Sequence, residues 1–140
     1  MTPAQVKELF PAVHSPTTEG QKPAKPGVAL LYLDDVKIVG RSFTACFAFE
    51  GSGLVSVALE LAPKESIGVA RNVYDALTEG LRAKYGAELT REGEGDIGFM
   101  AKRTWVSEQT TIALTILATK PRATVSIRYD GSLAKDAAKL

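Results

Sequence analysis

The sequence predicts an α+β fold: a mostly antiparallel sheet of six or seven strands with two helices on one face. Two periodicities lead to this prediction. From Ser42 to Glu50, apolar and polar residues alternate, as they do in a strand with one buried face. From Ala70 to Tyr85, apolar residues recur every three or four positions, as they do on the buried side of a helix. Because strand patterns occur on both sides of this helix, the chain is interpreted as two possible α-β-β-β units.

The first element is a short helix that begins at Thr2. A threonine hydroxyl caps a free backbone amide, and Gln5 is spaced to reach back to the cap in return. The helix is expected to end near Phe10, because a proline follows it. Residues 11–27 carry prolines and glycines among polar residues, so they predict the longest loop of the chain.

A first group of strands is predicted between residues 28 and 61. The stretch 28–39, which Asp34 and Asp35 interrupt, is expected to form one strand or a bent pair. A hairpin with its turn at residues 51–53 follows. The residues expected to face the core from its two strands are Phe43, Ala45, Phe47 and Phe49, then Val55, Val57, Leu59 and Leu61.

The second half begins after Pro63 with the amphipathic helix. Gly86 is expected to end this helix, because glycine adopts a positive φ without strain. The polar stretch 87–98 is predicted to be a loop. Three strands in a meander are then expected, at Phe99–Ser107, Thr110–Thr119 and Ala123–Tyr129.

The composition is typical of an ordinary globular domain, with 45% hydrophobic residues, 24% charged residues and a net charge of +1. We interpret residues 1–130 as a single α+β domain with possible halves 1–62 and 63–130, and residues 131–140 as a terminal tail. A net charge so close to zero gives no general attraction to nucleic acid. The longest apolar run, Val28–Leu33, is far shorter than the ~20 residues of a transmembrane helix, so no membrane span is expected.

The compartment is not set by the cysteine content. Cys46 is the single cysteine, so no internal disulfide can form, and a disulfide would have indicated export. The first ten residues show no signal peptide. We expect the periplasm or cell envelope if a signal peptide has been removed, and the cytoplasm otherwise.

No set of residues in the sequence predicts catalysis, a cofactor or a metal ion. Residues 93–98, GEGDIG, match the dinucleotide pattern G-x-G-x-x-G, but they follow a polar stretch and precede a strand, so a loop is predicted. His14, the single histidine, is expected at the surface, and Cys46 is interpreted as a small apolar filler. Asp34 and Asp35 are adjacent and indicate a bulge or turn rather than a catalytic pair.

Basic residues occur on the last three predicted strands and in the turn between the last two: Lys102, Arg103, Lys120, Arg122 and Arg128. We interpret them as a solvated edge that discourages pairing with a further strand, with a nucleic-acid patch as the alternative. Trp105 is expected to pack in the core rather than serve as a platform for a ligand.

The sheet face away from the helices is the candidate site. Strand parity places on it Thr44, Cys46, Ala48, Ser56, Ala58, Ala113, Thr115, Leu117, Thr124 and Ser126. These side chains are small and nearly uncharged, whereas a face left in water is expected to carry long charged groups. We therefore predict that this face docks another protein or a second copy of the chain. A solvated face, or one covered by the long loop, is the alternative.

Four strings give the chain a family resemblance. The start TPAQVKELFP, the hairpin string GSGLVSVALEL, the helix end LRAKYG and a strand carrying Trp105 resemble small cell-envelope modules of Gram-negative bacteria. The same outline is similar to the repeat of the β-lactamase inhibitor protein and to small outer-membrane lipoproteins. The resemblance implies a periplasmic or envelope protein that works by surface contact.

Three functional hypotheses follow. The first is a non-enzymatic envelope interaction or binding module that acts through the sheet surface. The second is a carrier that holds a small apolar molecule between sheet and helices, indicated by the aromatic residues Phe43, Phe47, Phe49, Tyr74, Tyr85 and Trp105. The third is an uncharacterised enzyme.

Overall fold

The structure, a computed structural model, describes residues 1–93, 100–119 and 121–131. In chain order the elements are α1 (Pro3–Leu9), β1 (Val28–Ile38), β2 (Arg41–Glu50), β3 (Gly53–Leu61), β4 (Glu65–Ser66), α2 (Ile67–Tyr85), β5 (Thr90–Glu92), β6 (Met100–Ser107), β7 (Thr110–Ala118) and β8 (Arg122–Asp130). A single 3₁₀ turn, Glu19–Gln21, lies in the long loop before β1. Within the described residues these strands form one antiparallel sheet, which confirms the predicted α+β fold.

The sheet joins two meanders at its centre. Its strand order is β1-β2-β3-β8-β7-β6-β5. The last strand of the first meander, β3, therefore pairs with the last strand of the second, β8. β4 lies beside β8 at Ala123 and Arg122, beyond the point where β3 leaves it. The described part of the sheet has eight strands rather than six or seven, because β4 and β5 span only two and three residues. Segments this short show no periodicity.

Helix α1 begins and ends as its sequence predicts. The Gln5 backbone N–H donates to Thr2 Oγ1 over 3.3 Å, and the Thr2 backbone N–H donates to Gln5 Oε1 over 2.8 Å, which completes the capping box. Val6 is buried, and the Phe10 ring after the helix stacks on Phe47 of β2 with ring centroids 5.8 Å apart. α1 therefore packs on the side of the sheet that Phe47 faces.

Helix α2 packs on the same side, against β6, β7 and β8. The Ser66 hydroxyl caps its start, and Gly86 ends it with a φ of 85°. Its buried stripe consists of Ala70, Val73, Tyr74, Leu77, Thr78 and Leu81. Both helices thus cover one face of the sheet. The face away from α1 and α2 is called the outer face below.

The predicted strand parity is confirmed along β2, β7 and β8, whose alternate residues are buried beneath the helices. It is wrong at one position of β3. Phe49 pairs with Leu54 and Ala48 pairs with Ser56, so Val55 is the extra residue of a β-bulge and is exposed. Leu54 packs against the core in its place. Because Leu54 and Val55 are adjacent and both apolar, the sequence pattern does not indicate which of them faces the core.

Asp34 and Asp35 lie at a second irregularity, between Leu33 and Val36 of β1. Asp35 has a φ of 58°, and the pairing of β1 with β2 resumes after it. The predicted bulge is therefore confirmed, and residues 28–38 form one strand rather than a bent pair. In the described part of the chain, no helix is long and apolar enough to cross a membrane.

Candidate functional site

The outer face carries all of the residues predicted for docking. Paired strands align Cys46 with Ala58, Ala48 with Ser56, and Thr115 with Ser126. Long charged residues interrupt this surface, because Arg128 lies between Ala58 and Ala113, and Glu60 lies between Thr44 and Ser126. Lys102 pairs with Thr115 on the same face. The outer face therefore carries more charge than the predicted docking residues alone indicate.

Two of the predicted docking residues are buried. Ser56 is 6% exposed and Thr124 is 8% exposed. The Thr124 hydroxyl donates a hydrogen bond to the backbone carbonyl of Leu61 over 3.1 Å, where β3 separates from β8. Thr124 therefore holds the sheet together at this break and offers little surface to a partner.

A groove of about 530 Å³ lies between the outer face and residues 20–25 of the long loop. Its floor includes four of the small residues, namely Cys46, Ala48, Ser56 and Ala58. The other lining residues are Gly20, Lys22, Pro23, Ala24, Lys25, Val28, Leu30, Tyr32, Glu50, Val55, Arg128 and Asp130. We call the four floor residues the covered half of the outer face. The open half consists of Ala113, Thr115, Leu117 and Ser126, none of which lines this groove.

Side-chain and backbone hydrogen bonds hold the loop in place. Tyr32 Oη donates to the Gln21 carbonyl over 2.9 Å. His14 and Tyr32 exchange two backbone hydrogen bonds of 2.8 Å, and His14 Nε2 lies 2.8 Å from Asp34 Oδ2. Thr17 donates its backbone N–H to the Gln21 side chain. One alternative given by the sequence was that the long loop covers the outer face. The loop does so over the covered half only.

The groove contains three cationic and two acidic side chains. Lys22 pairs with Glu19 over 2.9 Å, and Arg128 Nε donates to both carboxylate oxygens of Asp130 over 3.0 and 2.9 Å. Lys25 and Glu50 form no ion pair with the rest of the described chain. The terminal nitrogens of Arg128 likewise have no hydrogen-bond partner among the described residues.

Cys46 and Tyr32 lie side by side on the groove floor, as a cross-strand pair. Burial raises the pKa of the Cys46 thiol. Burial, followed by the interaction with Cys46, raises the pKa of Tyr32 to about 12. Both groups are therefore protonated at neutral pH, which favours hydrogen bonding over nucleophilic attack.

A second hollow, of about 360 Å³, shares Gly20 and Tyr32 with the groove. Thr44 and Glu60 line it together with Gly20, Gln21 and the end of β3. Thr44 therefore lines a different hollow from the covered half, although it shares strand β2 with Cys46 and Ala48.

Sequence reasoning missed a buried ionic cluster around Glu88. Its side chain is 5% exposed and lies within 3.5 Å of Arg82, Arg91 and Arg103. Arg103 is itself buried, with its guanidinium 5.4 Å from the centroid of the Tyr74 ring. The prediction that Arg103 belongs to a solvated edge is therefore wrong. Nothing in the polar stretch around Glu88 distinguishes it from a solvent-exposed glutamate.

The remaining candidates for chemistry are dispersed. Within residues 1–93, 100–119 and 121–131, no three His, Cys, Asp or Glu side chains are placed to hold a metal ion. Trp105 is buried, as predicted, and its Nε1–H donates to the Gly86 carbonyl over 2.9 Å. The GEGDIG string after Gly93 and residue Lys120 lie outside the described residues, as does the tail after Gly131. Comparison of the chain with protein-family models, with curated proteins and with solved structures finds no match.

Proposed function

We propose that the protein is a non-enzymatic binding module that acts through the outer face of its sheet. The observation that supports this proposal is the shape of that face, where a groove with a floor of small residues adjoins an open surface of small residues. Small side chains allow a ligand or a second protein to approach the sheet closely. A concave site next to exposed apolar residues is typical of binding surfaces.

The open half favours a protein partner, either a second copy of the chain or a different protein. Leu117 is 39% exposed, and its cross-strand neighbour Met100 is 41% exposed. Val106, on the outer side of β6, is 54% exposed. Burial of these apolar side chains against a partner would contribute to binding through the hydrophobic effect.

A small-molecule carrier is the second candidate, and the groove is the observation that favours it. The aromatic residues that suggested a site between sheet and helices are packed in the core, with Phe43, Phe47, Phe49, Tyr74 and Trp105 each at most 2% exposed. A carrier would therefore hold its ligand on the outer face, in the groove.

The compartment of this module is part of the proposal. The resemblance to Gram-negative envelope modules supports the periplasm or cell envelope. Fractionation of cells that express the natural gene with its upstream sequence tests this placement. Recovery of the protein in the cytoplasmic fraction alone would contradict it.

Single arginine substitutions test the binding face. Thr115→Arg places a charge on the open half, Ala58→Arg places one on the covered half, and Ala76→Arg on the exposed side of α2 is the control. An unpaired charge buried in an interface costs several kcal/mol, whereas a surface substitution shifts stability by about 0.5 kcal/mol or less. Sedimentation velocity measures self-association, and thermal denaturation confirms folding.

We expect folded Thr115→Arg to lose self-association or a bound protein that Ala76→Arg retains. If the wild type is monomeric, Thr115→Arg and Ala76→Arg are each used as bait for binding proteins. Mass spectrometry then quantifies the proteins that Ala76→Arg retains and Thr115→Arg loses. If both folded variants of the outer face keep every partner of the wild type, the proposal is wrong.

A further inference from the structure

We infer that the groove binds a single aliphatic chain that ends in a carboxylate. This inference rests on the proposed function and names the ligand class of the covered half. It assigns the apolar floor to the aliphatic chain and Arg128 to the carboxylate.

The size and lining of the groove fit an aliphatic chain. Its volume of about 530 Å³ lies within the range of small-molecule sites, roughly 300–1,000 Å³. Val28, Leu30 and Val55 give it apolar side chains, while Ala48 and Ala58 leave room next to the backbone of the sheet. An aliphatic chain gains affinity by leaving water, and each buried methylene is expected to strengthen binding roughly fourfold.

The charges that line the groove favour an anionic head group. Three cations and two carboxylates line the groove, but Lys22 is paired with Glu19, which lies outside the lining. The positive charge that favours an anion therefore comes from Lys25 and from the terminal nitrogens of Arg128. One of those carboxylates, Asp130, already accepts two hydrogen bonds from Arg128 Nε. This pairing orients the guanidinium and leaves its two terminal nitrogens for a ligand. An arginine with free terminal N–H groups recognises a carboxylate through paired hydrogen bonds.

The position of Glu50 sets the direction of the ligand. Glu50 is the other acidic residue of the lining, and it would repel a carboxylate placed beside it. Glu50 lies on β2, four residues from Cys46, whereas Arg128 lies two strands away on β8, beside Ala58. Strand spacing and rise place these two residues on the order of 15 Å apart. The charge of Asp130 at the other end is already compensated by Arg128, whereas Glu50 forms no ion pair within the described chain. The carboxylate therefore lies at the Arg128 end, and the aliphatic chain extends toward Leu30.

Cys46 provides a built-in probe of occupancy. It is the single cysteine of the chain, it lies on the groove floor, and it pairs with Ala58 next to Arg128. A ligand in the groove is expected to shield its thiol, so the rate of modification by a maleimide reports binding. Native mass spectrometry of the same samples gives the stoichiometry.

The experiment compares decanoate with octanoate, decanol and decylamine, each below its aggregation limit. We expect one decanoate per chain and slower labelling of Cys46. Octanoate, shorter by two methylenes, is expected to bind on the order of tenfold more weakly. Decanol and decylamine are also expected to bind more weakly than decanoate, because neither offers a carboxylate to Arg128.

Three variants locate the ligand. Arg128→Gln is expected to reduce decanoate affinity to that of decanol and to leave decanol affinity unchanged. Ala48→Trp fills the floor and should abolish binding of both. Lys102→Gln removes a cation from the outer face outside the groove and is expected to change neither affinity.

Several results would overturn the inference. These are absence of Cys46 protection by decanoate, equal protection by decylamine, and decanoate binding that persists in Ala48→Trp. Protection that appears without ligand as protein concentration rises would identify a second copy of the chain as the occupant. If the inference fails while Thr115→Arg still loses a partner, the proposed function stands and acts through the open half.

Discussion

Glu88 accepts two hydrogen bonds from Arg82, from Nε and Nη2, each over 2.8 Å. Arg82 belongs to the last turn of α2, and Arg103 of β6 donates to the same carboxylate over 3.2 Å. Glu88 therefore links the end of the helix to the sheet. Trp105 and Gly86 make a second link at the same place through the indole N–H.

This cluster predicts how stability depends on acid pH. Arg82 lowers the pKa of Glu88 from its ordinary value of 4.5 to about 2, against the opposing effect of burial. Because the folded-state pKa is lowered, the stabilisation is complete above pH 4.5 and is lost as pH falls toward 2. Chemical denaturation between pH 6 and 2 measures this loss.

The control for this prediction is Glu79, an exposed carboxylate that also contacts Arg82, over 3.1 Å. Glu88→Gln should destabilise the protein at pH 6 and flatten the decline between pH 4.5 and 2. Glu79→Gln should leave the decline nearly unchanged. Equal pH profiles for wild type and Glu88→Gln would show that Glu88 is not the group responsible.

The bulge in β3 predicts different effects for two neighbouring valines. Val57 is fully buried, whereas Val55 is 37% exposed at the bulge. Val57→Ala is expected to lower the free energy of unfolding by roughly 2 kcal/mol, through lost apolar burial and the cavity left behind. Val55→Ala should cost about 0.5 kcal/mol or less. Urea denaturation of both variants tests the register, and equal losses would mean that the bulge is misplaced.

The turn between β1 and β2 predicts a stabilising substitution. Val39 and Gly40 occupy this two-residue turn with positive φ values of 47° and 76°. A β-branched residue is strained in this conformation, whereas Asn-Gly is the preferred pair of a type I′ turn. Val39→Asn is expected to raise the free energy of unfolding by about 1 kcal/mol. Val39→Ala keeps a Cβ at the same φ without the asparagine preference, so it should gain less; a larger gain from alanine would contradict this explanation.

His14 predicts a pH effect near neutrality. Its two ring nitrogens each lie 2.8 Å from an oxygen that only accepts, the Ser15 carbonyl and Asp34 Oδ2, which favours the protonated ring. The Ser15 hydrogen bond first, and then Asp34, raise the pKa of His14 above 6.5, while burial opposes them. The stabilisation is therefore complete below pH 6.5 and is lost as pH rises through the higher folded-state pKa.

Proton NMR measures this pKa directly, because His14 is the single histidine. Asp34→Asn should lower the pKa of His14. Asp35→Asn is the matched control, because Asp35 contacts Ser42 and Lys37 instead. A His14 pKa that does not respond to Asp34→Asn would exclude the ion pair in solution.

Much of the fold was predictable from local patterns. The capping residues Thr2 and Gln5 and the stop at Gly86 act within one or two helical turns, so short strings reveal them. The alternation from Phe43 to Phe49 marks a buried face, because successive strand residues point to opposite sides. The same parity assigned the residues of the predicted docking surface to the outer face.

Contacts between distant segments were not predictable in this way. The groove forms because Tyr32 holds Gln21 over the sheet, and Arg128 reaches it from β8. Glu88 and Arg103 look like surface charges in the sequence, yet the fold buries them together. Periodicity shows which face of a segment avoids water, whereas the neighbours of that face depend on how the whole chain packs. The periodic pattern therefore predicted the two faces of the sheet, and the packing of the loop and of β8 produced the groove.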